Sequence, residues 1–140
     1  MDKYFLDTCI WRDFYEDRSG FSGKPLGDLA STLFVHINKS KSVIIFSETL
    51  FWELKKDYSA NEIESMLNFL FLSGNLKKVS ITKKEFHTAK KMAREKNIPF
   101  VDCLNAIQAR NHNAIMVSRD KHFFEYLQDI VEVKKPEDII

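Results

Sequence analysis

Val43-Ile44-Ile45-Phe46 is an uninterrupted apolar run, too short to make a helix worth the name. A strand with one wet face alternates apolar and polar residues. A run that is apolar throughout reads as a strand covered on both sides, which is the signature of a buried parallel sheet. Residues 3–6 and Ala114-Ile115-Met116-Val117 read the same way; Val79-Ser80-Ile81 is a shorter candidate, and a weaker one follows at 130–133. Between these runs the period changes. Leu26, Leu29, Ala30, Leu33, Phe34 and Ile37 keep to one face of a helix, as do Ile63, Met66, Leu67 and Leu70. Ser47 is placed to cap a helix reaching about Asp57. Thr82, with Glu85 three residues on, forms a capping box for a helix that runs to about Lys96. Asn97-Ile98-Pro99 breaks that helix, and Phe100, Cys103, Leu104 and Ile107 supply the stripe of the next. Strands alternating with helices predict an α/β domain around a mainly parallel sheet.

In such sheets ligands bind beyond the carboxyl ends of the strands. Asp7 follows Tyr4-Phe5-Leu6 and Asp120 follows Met116-Val117-Ser118-Arg119, so both fall at that edge. Glu53 lies on the second turn of the helix that leaves it, and Asp102 in the first turn of the helix opened by Phe100. Carboxylates gathered at one edge repel one another unless a divalent cation neutralises them. The set is therefore a candidate hard-metal site, and hard metals held by carboxylates do phosphate chemistry. Singly, each acid has an ordinary explanation. Asp7 serves as a strand-end turn residue, Asp102 and Glu48 as acids favoured by the helix dipole, and Asp120 as the cap of a helix beginning near Lys121. Glu48 competes with Glu53 for a place in the cluster. Arg119, Lys121 and His122 flank Asp120 and are candidate contacts to substrate phosphates; a solvated loop explains them equally well. His36, His87 and His112 show no ligand spacing, and no Ser-His-Asp or Cys-His nucleophile system is visible.

With 140 residues, an apolar fraction of 44% and twelve Phe, residues 1–140 are expected to form a single domain with a real core. No apolar run approaches the ~20 residues of a membrane helix, so no membrane partner is expected. Met1-Asp2-Lys3-Tyr4 lacks the features of a signal peptide, and Asp7 stands so near the start that no cleavable leader is expected before it. Both points favour the cytoplasm, where Cys9 and Cys103 would be reduced thiols. Each cysteine neighbours a proposed ligand, so the two are expected close together. A net charge of +1 gives no global basic field to recruit nucleic acid, and the basic helix face of Lys83, Lys84, Lys90, Lys91, Arg94 and Lys96 reads as wet surface. Phe69, Leu70, Phe71 and Leu72 make the 62–72 helix apolar around much of its circumference. The surplus points either to a subunit or partner interface or to a helix sandwiched within one core.

In order and spacing these segments resemble the PIN-domain nucleases. The resemblance rests on Asp7-Thr8 ending the first strand, on Ser47 with Glu53-Leu54 after the second, on Asp102 opening a helix with Leu104 and Ala109 deeper in it, and on Ser118-Arg119-Asp120 with Phe123 after the last strong strand. It departs at Cys9, where the family often has Ser or Asn. The resemblance implies a three-layer α/β/α fold and a magnesium- or manganese-dependent endoribonuclease that hydrolyses RNA phosphodiester bonds to a 5′-phosphate and a 3′-hydroxyl. It implies Asp7 as central metal ligand beside Asp102 and Asp120, and Glu53 acting through water or orienting the nucleophile. Thr8 and Ser118 would orient the carboxylates. The small size resembles the toxin of a VapC-like toxin–antitoxin pair, which implies a homodimer and an antitoxin protein partner. One rival is a catalytically weak or inactive PIN-like module that binds RNA or protein, for which Cys9 speaks. Another is a phosphotransfer domain, whose phosphatase form wants an acid where Cys9 stands.

Overall fold

Successive residues of a strand face opposite ways, and here that alternation feeds two separate cores. The computed structural model describes residues 2–140, apart from the side chains of Phe69 and Leu72. Its central strand β1 (Lys3–Leu6) pairs in parallel with β2 (Val43–Phe46) on one side and β4 (Ile115–Val117) on the other. β3 (Leu76–Lys78) and β5 (Val133–Lys134) complete an all-parallel sheet in the order β3-β2-β1-β4-β5. Tyr4, Leu6, Ile44, Phe46 and Val117 point into the first core, while Phe5, Ile45 and Met116 point into the second. The first core is closed by α1 (Thr8–Glu16), α2 (Leu26–Lys39), α3 (Glu48–Leu54) and α4 (Ala60–Ser73). The second is closed by α5 (Lys83–Lys96), α6 (Phe100–Asn111) and α7 (Lys121–Tyr126). The result is the expected three-layer α/β/α arrangement. None of its helices, among the described residues, is long and apolar enough to cross a membrane.

The expected caps hold: Ser47 accepts the Thr49 amide, and Thr82 with Glu85 forms a reciprocal capping box. Ser59 with Glu62 forms a second such box, and Asn97 ends α5 in the left-handed region at φ 54°. The structure departs from the sequence reading at five points. The α1 helix is not announced by the sequence, because Arg12 and Asp13 interrupt a short apolar stripe of Ile10, Trp11 and Phe14. The third strand is Leu76–Lys78, not Val79–Ile81. An edge strand needs no apolar faces, so Lys77 and Lys78 pair with Ile45 and Phe46 while remaining exposed. The last strand is shifted to Val133–Lys134 and α3 stops at Leu54, followed by a turn to Asp57. Cys9 and Cys103 pack against different cores, on opposite faces of the sheet, rather than beside one another.

The segment between α1 and α2 folds back tightly. The Gly27 amide donates to Arg18 O at 2.8 Å, and a Cβ at Gly27 would stand 2.5 Å from the Asp17 Cα. Only glycine permits that approach, and the approach holds Arg18 at the carboxyl edge of the sheet.

Candidate active site

β1 delivers Asp7 to the sheet edge, where it leaves the strand with φ −63° and ψ 152° and caps α1. Its Oδ1 accepts the Thr8 amide at 2.9 Å. Its Oδ2 accepts the Ser118 hydroxyl at 2.8 Å and the Cys9 thiol at 3.5 Å. The polar contact expected of Ser or Asn is thus made by sulfur. Ser118, at the end of β4, also accepts the Asp120 amide through Oγ at 2.9 Å. One hydroxyl therefore fixes Asp7 and Asp120 relative to each other across two neighbouring strands. Asp120 caps α7 by accepting the His122 amide at 2.9 Å, and the His122 ring also lies at this edge. Its Nδ1 lies 3.1 Å from Asp102 Oδ2 and 3.2 Å from Asp120 Oδ1. Asp102, on the first turn of α6, is brought there by a long-range tie, since Thr49 on α3 donates to Asn105 on α6 at 2.7 Å.

These groups open on a cleft of about 530 Å³ lined by Asp7, Thr8, Cys9, Glu53, Asp102, Asp120 and His122, with Pro99 and Val101 as its apolar wall. Glu53 faces the cleft and pairs with Lys56 at 3.1 Å. Glu48 does not, since it pairs with Lys78 and lines a different groove. Arg12, Arg18 and Lys56 also line the cleft, paired with Asp57, Glu16 and Glu53 respectively. All three went unnoticed in the sequence. Only the signal for Arg12 depends on recognising α1, where it lies one helical turn from Thr8, whereas Lys56 lies three residues after Glu53 in a segment already expected to be helical.

Burial dominates the charge state of the site. It pushes Asp7 up from the usual carboxylate range, aided by Asp120 and resisted by the hydrogen bonds from Ser118, Thr8 and Cys9. Burial also pushes Asp102 up, to about 7, with the charges of Asp7 and Asp120 adding to it and His122 opposing. The same burial, with Asp7 alongside, pushes the Cys9 thiol well up, so that it stays protonated and donates. Acids held above their ordinary range by burial and mutual repulsion are what a cation would relieve. One oxygen each from Asp102 and Asp120 and one ring nitrogen of His122 all lie within 4.8 Å of one another. That donor set fits a divalent ion such as magnesium or manganese. Asp7, expected as the central ligand, stands outside this group. It keeps a lone pair free on Oδ1, where only the Thr8 amide is bound.

Two of the expected phosphate contacts are not in the cleft. Arg119 turns to the C-terminal segment, where its guanidinium meets Glu137 at 2.8 and 3.1 Å and lies 3.6 Å from the buried Asp13 of α1. Burial works against the Glu137 charge, but hydrogen bonds from Arg119 and Lys24 hold its carboxyl down to about 2. Arg119 therefore ties three segments of chain together rather than reaching outward. Lys121 is exposed and lines no part of the cleft.

Residues 4–127 match the family model of the PIN domain. Among solved structures, the fold is similar to a chain of VapBC2 from Rickettsia felis bound to a promoter DNA fragment, with a TM-score of 0.67, 20% identity, and coverage of 95% of this chain and 98% of that one. It is similar to a chain of a toxin–antitoxin complex from Klebsiella pneumoniae, at TM-score 0.65 and 14% identity, with 95% and 97% covered. It is also similar to a chain of FitAcB from Neisseria gonorrhoeae, at TM-score 0.61 and 15% identity, with 96% and 98% covered. No curated protein is a significant sequence match to the chain.

Proposed function

The chain belongs to the PIN domain family, and from that premise we propose that it is a divalent-metal-dependent endoribonuclease, the toxin of a toxin–antitoxin pair. The observation that carries the reading is the meeting of Asp7, Glu53, Asp102 and Asp120, from four different elements, in one cleft at the carboxyl edge of the sheet. A fold gains no stability from burying acids side by side, so their convergence calls for a functional cause.

Asp102 and Asp120 would hold magnesium or manganese, with Asp7 fixed behind them by three hydrogen bonds. Bound there, the ion supplies a coordinated water of lowered pKa and offsets charge on the phosphate oxygens. Glu53, which lines the cleft and pairs with Lys56, would orient the attacking water and take its proton. Thr8 and Ser118 keep the Asp7 carboxylate from turning. Arg12, Arg18 and Lys56, which line the cleft, would meet the phosphates on either side of the scissile bond. The RNA backbone is thus drawn by local cations over an acidic centre, which suits a chain of net charge +1.

The partner reading rests on α4. Ile63, Met66, Leu67 and Leu70 fill the first core, while Phe71 stays 61% exposed. With Phe51 and Leu67 it walls a second, mainly apolar cleft of about 580 Å³. That face suits a second copy of the chain or an antitoxin segment, and the similar Klebsiella structure is a toxin–antitoxin complex.

The test is cleavage of a mixed-sequence RNA with manganese present or chelated. The parent chain should cut only with metal, and Asp7→Asn should lose cutting by roughly a thousandfold or more while its circular dichroism is unchanged. Cleavage that persists in chelator, or in Asp7→Asn with metal, rejects the assignment. An inert parent chain that still binds RNA would favour the non-catalytic module.

A further inference from the structure

We infer that His122 is itself a metal ligand of this site, through Nδ1, and that it tilts the site toward manganese-class ions over magnesium. The inference rests on the metal-dependent reading above and concerns which donors hold the ion. Three observations carry it. The donor atoms that lie within 4.8 Å of one another are those of Asp102, Asp120 and His122, and Asp7 is not among them. The separations from Nδ1 to the two carboxylate oxygens are 3.1 and 3.2 Å. Cis ligands around an octahedral ion with bonds of about 2.1 Å stand roughly 3 Å apart, so both separations from Nδ1 match an edge of such an octahedron. Finally, the His122 amide donates to Asp120 Oδ1 at 2.9 Å, so the backbone that bears the ring is fixed beside one of the two acids.

With the neutral ring in its Nε2–H tautomer, Nδ1 turns a lone pair toward the point that Asp102 and Asp120 share. Magnesium prefers an all-oxygen shell and gains little from such a nitrogen. Manganese, and more strongly cobalt or zinc, accepts imidazole readily. A contact of about 3.1 Å is equally a hydrogen bond, in which His122 would only orient the carboxylates from outside the ion's shell. Direct nitrogen coordination separates the two.

The experiment uses the full chain and Mn²⁺ alone. Pulsed electron paramagnetic resonance of the bound ion should show ¹⁴N modulation from a coordinated imidazole. Calorimetry should show that H122A weakens Mn²⁺ roughly tenfold or more and Mg²⁺ by less than about threefold. H122Q, which can still donate to Asp102, guards against a folding artefact and should likewise lose the ¹⁴N signal. Bound Mn²⁺ without ¹⁴N coupling, or equal weakening of both ions by H122A, overturns this inference alone. Failure of Mn²⁺ to bind the parent chain overturns it together with the nuclease reading.

Discussion

Replacing Asp102 by asparagine should stabilise the metal-free protein while removing its metal. The carboxyl is pushed up to about 7 in the folded chain by burial and by Asp7 and Asp120, against about 3.9 when unfolded. The folded state therefore holds a proton that the unfolded state has lost across that window. Stability then falls as pH rises, by up to about 1.4 kcal/mol per pH unit for this one group. Three units correspond to roughly 4 kcal/mol when Asp102 is fully ionised. Asp7 and Asp120 share in the repulsion, so a single substitution should recover about half, roughly 2 kcal/mol, or about 6 °C in Tm for a domain of this size. The assay is urea or thermal unfolding in chelator from pH 4 to 8. The Asp102→Asn protein should match its parent near pH 4, draw ahead as pH rises, and level off above pH 7. Adding Mn²⁺ should reverse the order, because only the parent gains binding energy. An asparagine variant less stable than its parent at pH 8 in chelator, or a difference that does not vary with pH, refutes the electrostatic account of the cleft.

The C-terminal clamp gives the opposite pH sign. Glu137 is held down to about 2 by Arg119 and Lys24; its contribution is present above the unfolded value of about 4.3 and fades as pH falls toward 2. Glu137→Gln should cost about 1–2 kcal/mol in urea unfolding at pH 6, and the cost should shrink in acid. Gly27→Ala should cost about 2 kcal/mol by the same measurement, because its Cβ would press on Asp17 backbone; an unchanged midpoint would show that the loop yields freely. Phe71→Ser should leave unfolding within about 0.5 kcal/mol of the parent, since the ring is 61% exposed. It should lower the mass measured by light scattering if α4 joins two copies, and an unchanged dimeric mass would place the interface elsewhere.

Much of this fold can be read locally. The run Val43-Ile44-Ile45-Phe46 is a strand because both its faces are buried, and Thr82 with Glu85 starts a helix because each satisfies an orphan amide of the other. The reading fails where local preference is weak. Lys77 and Lys78 form a strand because an edge next to β2 was open to them, which nothing in their own chemistry announces. The helix after Asp7 escapes notice because its stripe is short and its cap doubles as a site residue.

The amino-acid order alone determined that Asp7 and Asp120 end strands and that Asp102 starts a helix, because strand burial, caps and breakers act over a few residues. Tertiary structure decided which groups meet. Ser118 reaches Asp7 across 111 residues only because β1 and β4 are neighbours. His122 meets Asp102 only because α6 and α7 flank that same edge, and Arg119, one residue from Asp120, faces the other way to hold Glu137. Periodicity places an acid at an edge; sheet order and register choose its partners, and neither is encoded within any one segment.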